Sequence, residues 1–256
     1  MMASTPAQAL WNARLAATVI PRDFEGRPTT EDAAYDIQRD MIAASGLEPA
    51  GWKIGATTEP LLGVLGVDRP FLGPVFNEYT WRDGDAIPFQ SGYRLETEMT
   101  LCLKSDMPHR AEPYSRAECE AAVGSIFTSF EIIRFRFEGE GAGASFRAVA
   151  DCGVNAGMVL GPEVTDWSGL DLMNNPVSLS INGEHVVTGA PNELMWEHIF
   201  DAAGWTANHS FLEGRGGLRA GDYLMTGTCT GMRPLAQGDS VVADFGSMGT
   251  ISATFP

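Results

Sequence analysis

The chain has 256 residues, 44% of them hydrophobic and 20% charged, with 33 acidic against 17 basic side chains and a formal charge of −16. That length accommodates one large domain or a core domain with a small addition. The acidity makes phosphate backbones and anionic membranes poor partners, and no apolar run approaches the roughly 18 residues of a membrane span.

Residues 1–50 read as a helical cap. ALWNARLAATVI and TTEDAAYDIQRDMIAASG carry apolar residues at three- and four-residue spacing. Thr29 and Thr30 before Glu31 and Asp32 suit a helix start, and Gly46 suits a stop. Charges among the apolar residues of the first stretch speak against a signal peptide. From Gly51 the texture changes to short apolar runs broken by Gly, Pro and Asp, so 51–256 reads as a β-rich domain, the part in which any catalytic site is expected. GWKIGAT, YRLETEMTLCLK, SFEIIRFRF, NAGMVLG, VSLSINGEHVVTG, GDYLMTGT, DSVVADFG and GTISATF are the expected strands, with Asn182-Gly183 at a hairpin turn. Two helices are expected between them: SRAECEAAVGSI, opening at Ser115, and a long amphipathic stretch, ELMWEHIFDAAGWTANHSFLEGRG, ending near Gly214. The fold class is α+β. Cys102, Cys119, Cys152 and Cys229 lack CxxC spacing and read as reduced thiols of a cytoplasmic protein.

The first residues that suggest chemistry lie in RLETEMTLCL. Side chains alternate along a strand, so Leu95, Thr97, Met99, Leu101 and Leu103 line one face while Glu96 and Glu98 project together from the other. Two carboxylates about 5 Å apart repel by roughly 3 kcal/mol at an effective dielectric of 20. Water, a basic partner, a shared proton or a cation must offset that repulsion. The ordinary meaning of E-x-E on a strand is a solvated face. Glu131 sits among Phe130, Ile132 and Ile133, where a carboxylate needs a partner or a metal; a salt bridge to Arg134 or Arg136 is the simpler alternative. Three carboxylates without histidine favour a hard ion such as Mg²⁺ or Mn²⁺ over zinc.

Lys53 in GWKIGAT is flanked by Gly51 and Gly55, which allow close approach of a ligand, although a surface lysine is the plain reading. TGTCTG, containing Thr226, Gly227 and Thr228, suits a loop offering hydroxyls and backbone N–H groups to an anion. Asp151 follows an apolar run and suits a loop or lysine anchor, and with Thr226, Gly227 and Thr228 it is an expected substrate-binding residue. No GxSxG, P-loop or dinucleotide-binding fingerprint is present.

In order along the chain, GWKIGAT, LLGVLGVDRPFLGPVF, RLETEMTLCLKSDMP, SFEIIRFRF, AVADCGVNAGMVLGP, INGEHVVTG and GLRAGDYLMTGTCTGMRPLAQGDSVVADFGSMGTISATF resemble the 2-keto-4-pentenoate hydratase/4-oxalocrotonate decarboxylase family of the fumarylacetoacetate hydrolase superfamily. The resemblance covers residues 8 to 256. It implies a mixed β-roll with a small helical N-terminal part. It further implies Mg²⁺ or Mn²⁺ on Glu96, Glu98 and Glu131, Lys53 against substrate, and Glu78 as a pocket carboxylate and candidate base. Homo-oligomers are implied as well. Relatives commonly carry Asp-Ser-Arg where this chain has Arg134-Phe135-Arg136, and ADNAS where it has Ala150 to Val154. The implied reaction is addition of water to a 2-hydroxy-2,4-dienoate. Decarboxylation of a 2-oxo diacid ranks second and acylpyruvate cleavage third, because the first 100 residues hold no histidine for a water-activating lid. A metal-holding, non-catalytic oligomer partner is the alternative from another class.

Overall fold

A computed structural model describes residues 4–139 and 145–256. The helices are α1 (Pro6–Ala16), α2 (Glu31–Ser45), α3 (Glu59–Leu65), α4 (Arg116–Ala122), α5 (Ser145–Ala150) and α6 (Asp201–Ala207). The strands are β1 (Pro49–Gly55), β2 (Phe71–Phe76), β3 (Thr80–Arg82), β4 (Arg94–Leu103), β5 (Met107–Pro108), β6 (Val123–Ile133), β7 (Asn155–Val164), β8 (Val177–Ile181), β9 (Glu184–Gly189), β10 (Gly217–Leu218), β11 (Tyr223–Thr228), β12 (Arg233–Pro234), β13 (Ser240–Asp244) and β14 (Thr250–Thr254).

The main sheet runs β2-β1-β11-β4-β6-β7-β3, with β12 beside β4. It is mixed: β1 runs parallel to β11 and β3 parallel to β7, while the remaining pairs are antiparallel. A second sheet, β14-β13-β8-β9, includes the hairpin turned at Asn182 and Gly183, both in the left-handed region. The α+β mixed roll is the fold that the sequence implied. Among the described residues no helix is long and apolar enough to cross a membrane.

The first two helices start and stop for local reasons. Thr5 and Thr30 accept from the N–H groups of Gln8 and Ala33, and left-handed Ala17 and Gly46 end the helices. Ala34, Tyr35, Gln38 and Met41 form the buried stripe of α2. The Gln38 amide then donates to the carbonyls of Leu72 and Val149, tying α2 to β2 and to α5. Leu10 and Ala34 of the cap share one apolar core with Leu95, Ile132 and Phe255 of the body.

Three expected elements differ: the helix opening at Ser115 stops at Ala122, and VGSI, expected in it, begins β6. The stretch from Glu193 to Gly214 is not one helix: Asp201 accepts from the His198 N–H at 2.9 Å, starting α6 there, and Asn208 follows its end. The strand in SFEIIRFRF ends at Ile133, so Arg134 and Arg136 lie beyond it.

Gly73 pairs with Lys53 across β1 and β2, and a Cβ there would meet the Cys152 carbonyl oxygen at 2.3 Å. Gly73→Ala is expected to cost about 1–3 kcal/mol through overpacking. Denaturant unfolding checks this, and an unchanged midpoint would contradict the close approach.

Candidate metal centre

The register of β4 against β6 builds the site. Glu96 stands directly opposite Glu131, and Glu98 opposite Ser129. Directly opposed residues hold their Cβ atoms about 4.5–5.5 Å apart, and like charges there are unfavourable. Both faces of β4 are covered, so water does not relieve the repulsion: Glu98 is 1% exposed and Glu131 0%. One oxygen from each of Glu96, Glu98 and Glu131 lies within 4.8 Å of the others.

Lys53 reaches this cluster from β1. It is buried, and its Nζ lies 3.3 Å from Glu131 Oε1. The surface-lysine reading is therefore replaced, because the curled sheet turns this face of β1 inward. Neither arginine pairs with Glu131. Arg134 donates to the carbonyls of Ser91, Thr18 and Ala17, and Arg136 pairs with Asp151 at 3.1 Å.

The remaining oxygens are informative. Glu98 Oε2 accepts from the Gly227 N–H at 2.8 Å, and Glu131 Oε1 accepts from Asn155 Nδ2 at 3.0 Å. Glu98 Oε1 and Glu131 Oε2 are buried without a hydrogen-bond partner among the described residues. Burial, then the charge of Glu131, pushes the Glu96 carboxyl up to about 8, with Lys53 opposing. Burial first, then Glu131 and Glu96, raises Glu98 well above the carboxylate range against the Gly227 N–H. Burial raises Glu131 as well, with Lys53 and Asn155 opposing.

Three carboxylates and one ammonium carry two uncompensated negative charges when all are ionised. A divalent cation restores neutrality and supplies the partner that two stranded oxygens lack. An all-oxygen donor set suits Mg²⁺ or Mn²⁺. The residues present fit such an ion.

These shifts have a sign. Each carboxyl binds its proton more tightly folded than unfolded, so the metal-free protein loses stability as pH rises from about 4.5 through about 8. A divalent ion competes with those protons. The Mg²⁺-dependent rise in Tm is expected to grow across that window, and binding at neutral pH to release protons, seen as buffer-dependent heat in titration calorimetry. A pH-independent rise without buffer dependence would contradict the arrangement.

A cavity of about 290 Å³ opens above Lys53 and Glu96. Leu61 and Leu65 of α3, with Phe71, Ile133 and Phe135, give it apolar walls, and Thr228 and Arg94 add polar groups. It lies at the small end of ligand sites, which span about 300–1,000 Å³. Arg94, not singled out from sequence, follows from the same alternation as Glu96, two residues on.

Several expected site residues lie elsewhere. Glu78 is exposed on the 3₁₀ turn Asn77–Tyr79, because β2 ends at Phe76 and the turn leaves the sheet; it does not line the cavity. Asp151 is fully buried against Arg136 and anchors that segment instead of facing the cavity. Thr226 donates to the Met99 carbonyl inside the sheet. Gly227 does offer its N–H to an anion, but the anion is Glu98. Thr228 alone of the three lines the cavity.

Asn155 was not foreseen. It begins β7 after a turn in which Cys152, Gly153 and Val154 all have positive φ, at 54°, 64° and 58°. Non-glycine residues rarely adopt that conformation, and β-branched Val154 least of all. The turn serves the site at three points: Gly153 lies close to Lys53, Val154 lines the cavity, and Asn155 holds Glu131.

Three buried acidic side chains, of which Glu96 lines an apolar cavity, form in this curled mixed sheet a cluster able to hold a divalent ion. Residues 78–255 match the family model described as fumarylacetoacetate (FAA) hydrolase C-terminal, and the chain belongs to that family. It is 29% identical over 263 residues to the 2-hydroxyhexa-2,4-dienoate hydratase of Comamonas testosteroni, covering 98% of this chain and 96% of that one. It is 28% identical over 232 residues to the 2-keto-4-pentenoate hydratase of Burkholderia vietnamiensis strain G4, covering 90% and 87%. The solved 4-oxalocrotonate decarboxylase from Pseudomonas putida G7, complexed with magnesium and adipate, superposes with a TM-score of 0.86 at 26% identity, covering 98% and 95%.

Proposed function

We propose that the chain is a divalent-metal-dependent hydro-lyase. It adds water to a 2-hydroxy-2,4-dienoate of the 2-keto-4-pentenoate type, giving a 4-hydroxy-2-oxo acid in aromatic or related catabolism. The buried Glu96, Glu98 and Glu131 cluster beneath a small apolar cavity carries this reading, and the two hydratase relatives support it.

Glu96, Glu98 and Glu131 hold Mg²⁺ or Mn²⁺, which when bound supplies Lewis acidity toward an oxygen of the substrate. Lys53 Nζ is the cation able to hold the substrate carboxylate or to move a proton, since it reaches the cavity and the cluster together. Thr228 offers a hydroxyl on the polar side. Leu61, Leu65 and Phe135 exclude water from the remaining walls and accept the uncharged diene. No histidine lines the cavity among the described residues, which disfavours acylpyruvate cleavage.

The second reading is decarboxylation of a 2-oxo diacid of the 4-oxalocrotonate type. The superposed decarboxylase favours it. Incubating Mg²⁺-loaded protein with 2-hydroxydienoates and 2-oxo diacids separates the two. Loss of the dienol ultraviolet band without CO₂ is the expected result; CO₂ release replaces hydration with decarboxylation, and no change across the panel removes both. The proposal also places the chain in a reducing cytoplasm, which suits four unpaired cysteines, as a closed homo-oligomer measurable by light scattering.

A further inference from the structure

We propose that Asn155 is a positioning residue that fixes the plane of the Glu131 carboxylate, so that one of its oxygens is left for the metal ion. The inference rests on the metal centre of the proposed function. Asn155 is 0% exposed, and its Nδ2 donates to Glu131 Oε1 at 3.0 Å. Lys53 Nζ approaches that same oxygen at 3.3 Å, whereas Oε2 has no partner. With both donors on one oxygen, the plane of the carboxylate is fixed, and one oxygen is left without a donor and free for the ion. The orientation of the amide follows from its surroundings. Nδ2 also faces the Gly157 carbonyl at 3.4 Å, and a flipped amide would set its oxygen against two acceptors.

The backbone beneath this amide is held from two directions. Arg14 of α1 donates Nη1 to the Asn155 carbonyl at 2.8 Å and Nη2 to the Ala156 carbonyl at 3.2 Å. Arg136 donates Nη2 to the same Asn155 carbonyl at 2.9 Å while paired with Asp151. Two buried guanidinium groups therefore converge on one peptide oxygen. The left-handed turn at residues 152–154 leads directly into it, and the Arg134 N–H donates to the Val154 carbonyl at 2.9 Å. Backbone in sparsely populated regions persists where its surroundings over-determine it, and such places cluster at functional sites. Partners one step behind a metal ligand fix its orientation and tune affinity.

The test uses the full chain and Mn²⁺ as probe. Free Mn²⁺ is counted by electron paramagnetic resonance, and the spectrum of bound Mn²⁺ is recorded. Asn155→Ala is expected to weaken the Mn²⁺ Kd by about 10- to 100-fold and to alter the bound-ion spectrum, with far-UV circular dichroism unchanged. Should Asn155→Ala fail to fold, Asn155→Leu is close in size, removes the donor without leaving a hole or adding a charge, and is expected to weaken binding as much. A folded variant binding Mn²⁺ within twofold of the parent, with the same spectrum, overturns the inference. A parent that binds no Mn²⁺ overturns both this inference and the proposed function. A parent that binds Mn²⁺ tightly but turns over no substrate overturns the function alone.

Discussion

Glu98→Gln is expected to produce a protein that is more stable without metal and inert with it. In the parent, Glu98 Oε1 is buried without a partner, close to the Glu131 and Glu96 carboxylates. Once the pH is high enough to ionise these raised carboxyls, about 8 for Glu96, each like-charge contact at that separation opposes folding by roughly 3 kcal/mol at an effective dielectric of 20, so the gain is read in alkaline buffer. Glutamine keeps an oxygen for the Gly227 N–H and brings an amide that can donate to a neighbouring carboxylate. The Tm in EDTA should rise by several degrees, while the Mg²⁺-dependent increment disappears and kcat falls by about 10³-fold or more. Scanning calorimetry with and without Mg²⁺, alongside the dienol assay, checks both halves. A variant that kept its metal increment would show that the ion is not held by this cluster. Loss of assembly with no activity to lose would favour the non-catalytic subunit.

Lys53→Met is expected to damage stability and chemistry together. The lysine is 3% exposed, and breaking a buried ion pair by removing one partner costs about 3–5 kcal/mol because the other charge is left stranded. Bound Mg²⁺ should recover part of that loss, since the ion replaces the missing positive charge beside Glu131. Turnover should not recover: a positioned acid–base or carboxylate-holding group contributes about 10²–10⁴-fold. Urea unfolding in EDTA and in Mg²⁺, together with kcat of the metal-loaded protein, separates these effects. Turnover equal to the parent would remove Lys53 from the reaction.

What was legible in the sequence follows the range of the interactions. Glu96 and Glu98 share a face by alternation alone, so their pairing needs only the strand. Their register against Glu131 is a tertiary fact, yet a carboxylate amid Phe130 and Ile132 already required a partner. The identity of that partner was not readable. Arg134 and Arg136 are near in sequence, but the strand ends before them and the sheet brings Lys53 closer. Lys53 itself looked like a surface lysine because local sequence carries no sign of the curl that covers it. Glu78 was placed by likeness, and a single turn after Phe76 removes it from the cavity. Asn155 gave only a faint signal, a lone amide between a glycine-containing turn and an apolar strand. Its role depends on arginines far away in the chain, one of them 141 residues upstream.

That separation bears on how the molecule can be divided. The matched family segment begins at residue 78, but Lys53 precedes it, and Arg14 of the first helix grips the backbone of Asn155, whose amide holds Glu131. The N-terminal helices are therefore no detachable appendage, and a graft that exchanged them for those of a relative would have to supply an equivalent guanidinium at the same depth. The support of the ion site thus reaches into the first helix, and shortening the chain at its start would be felt at the centre.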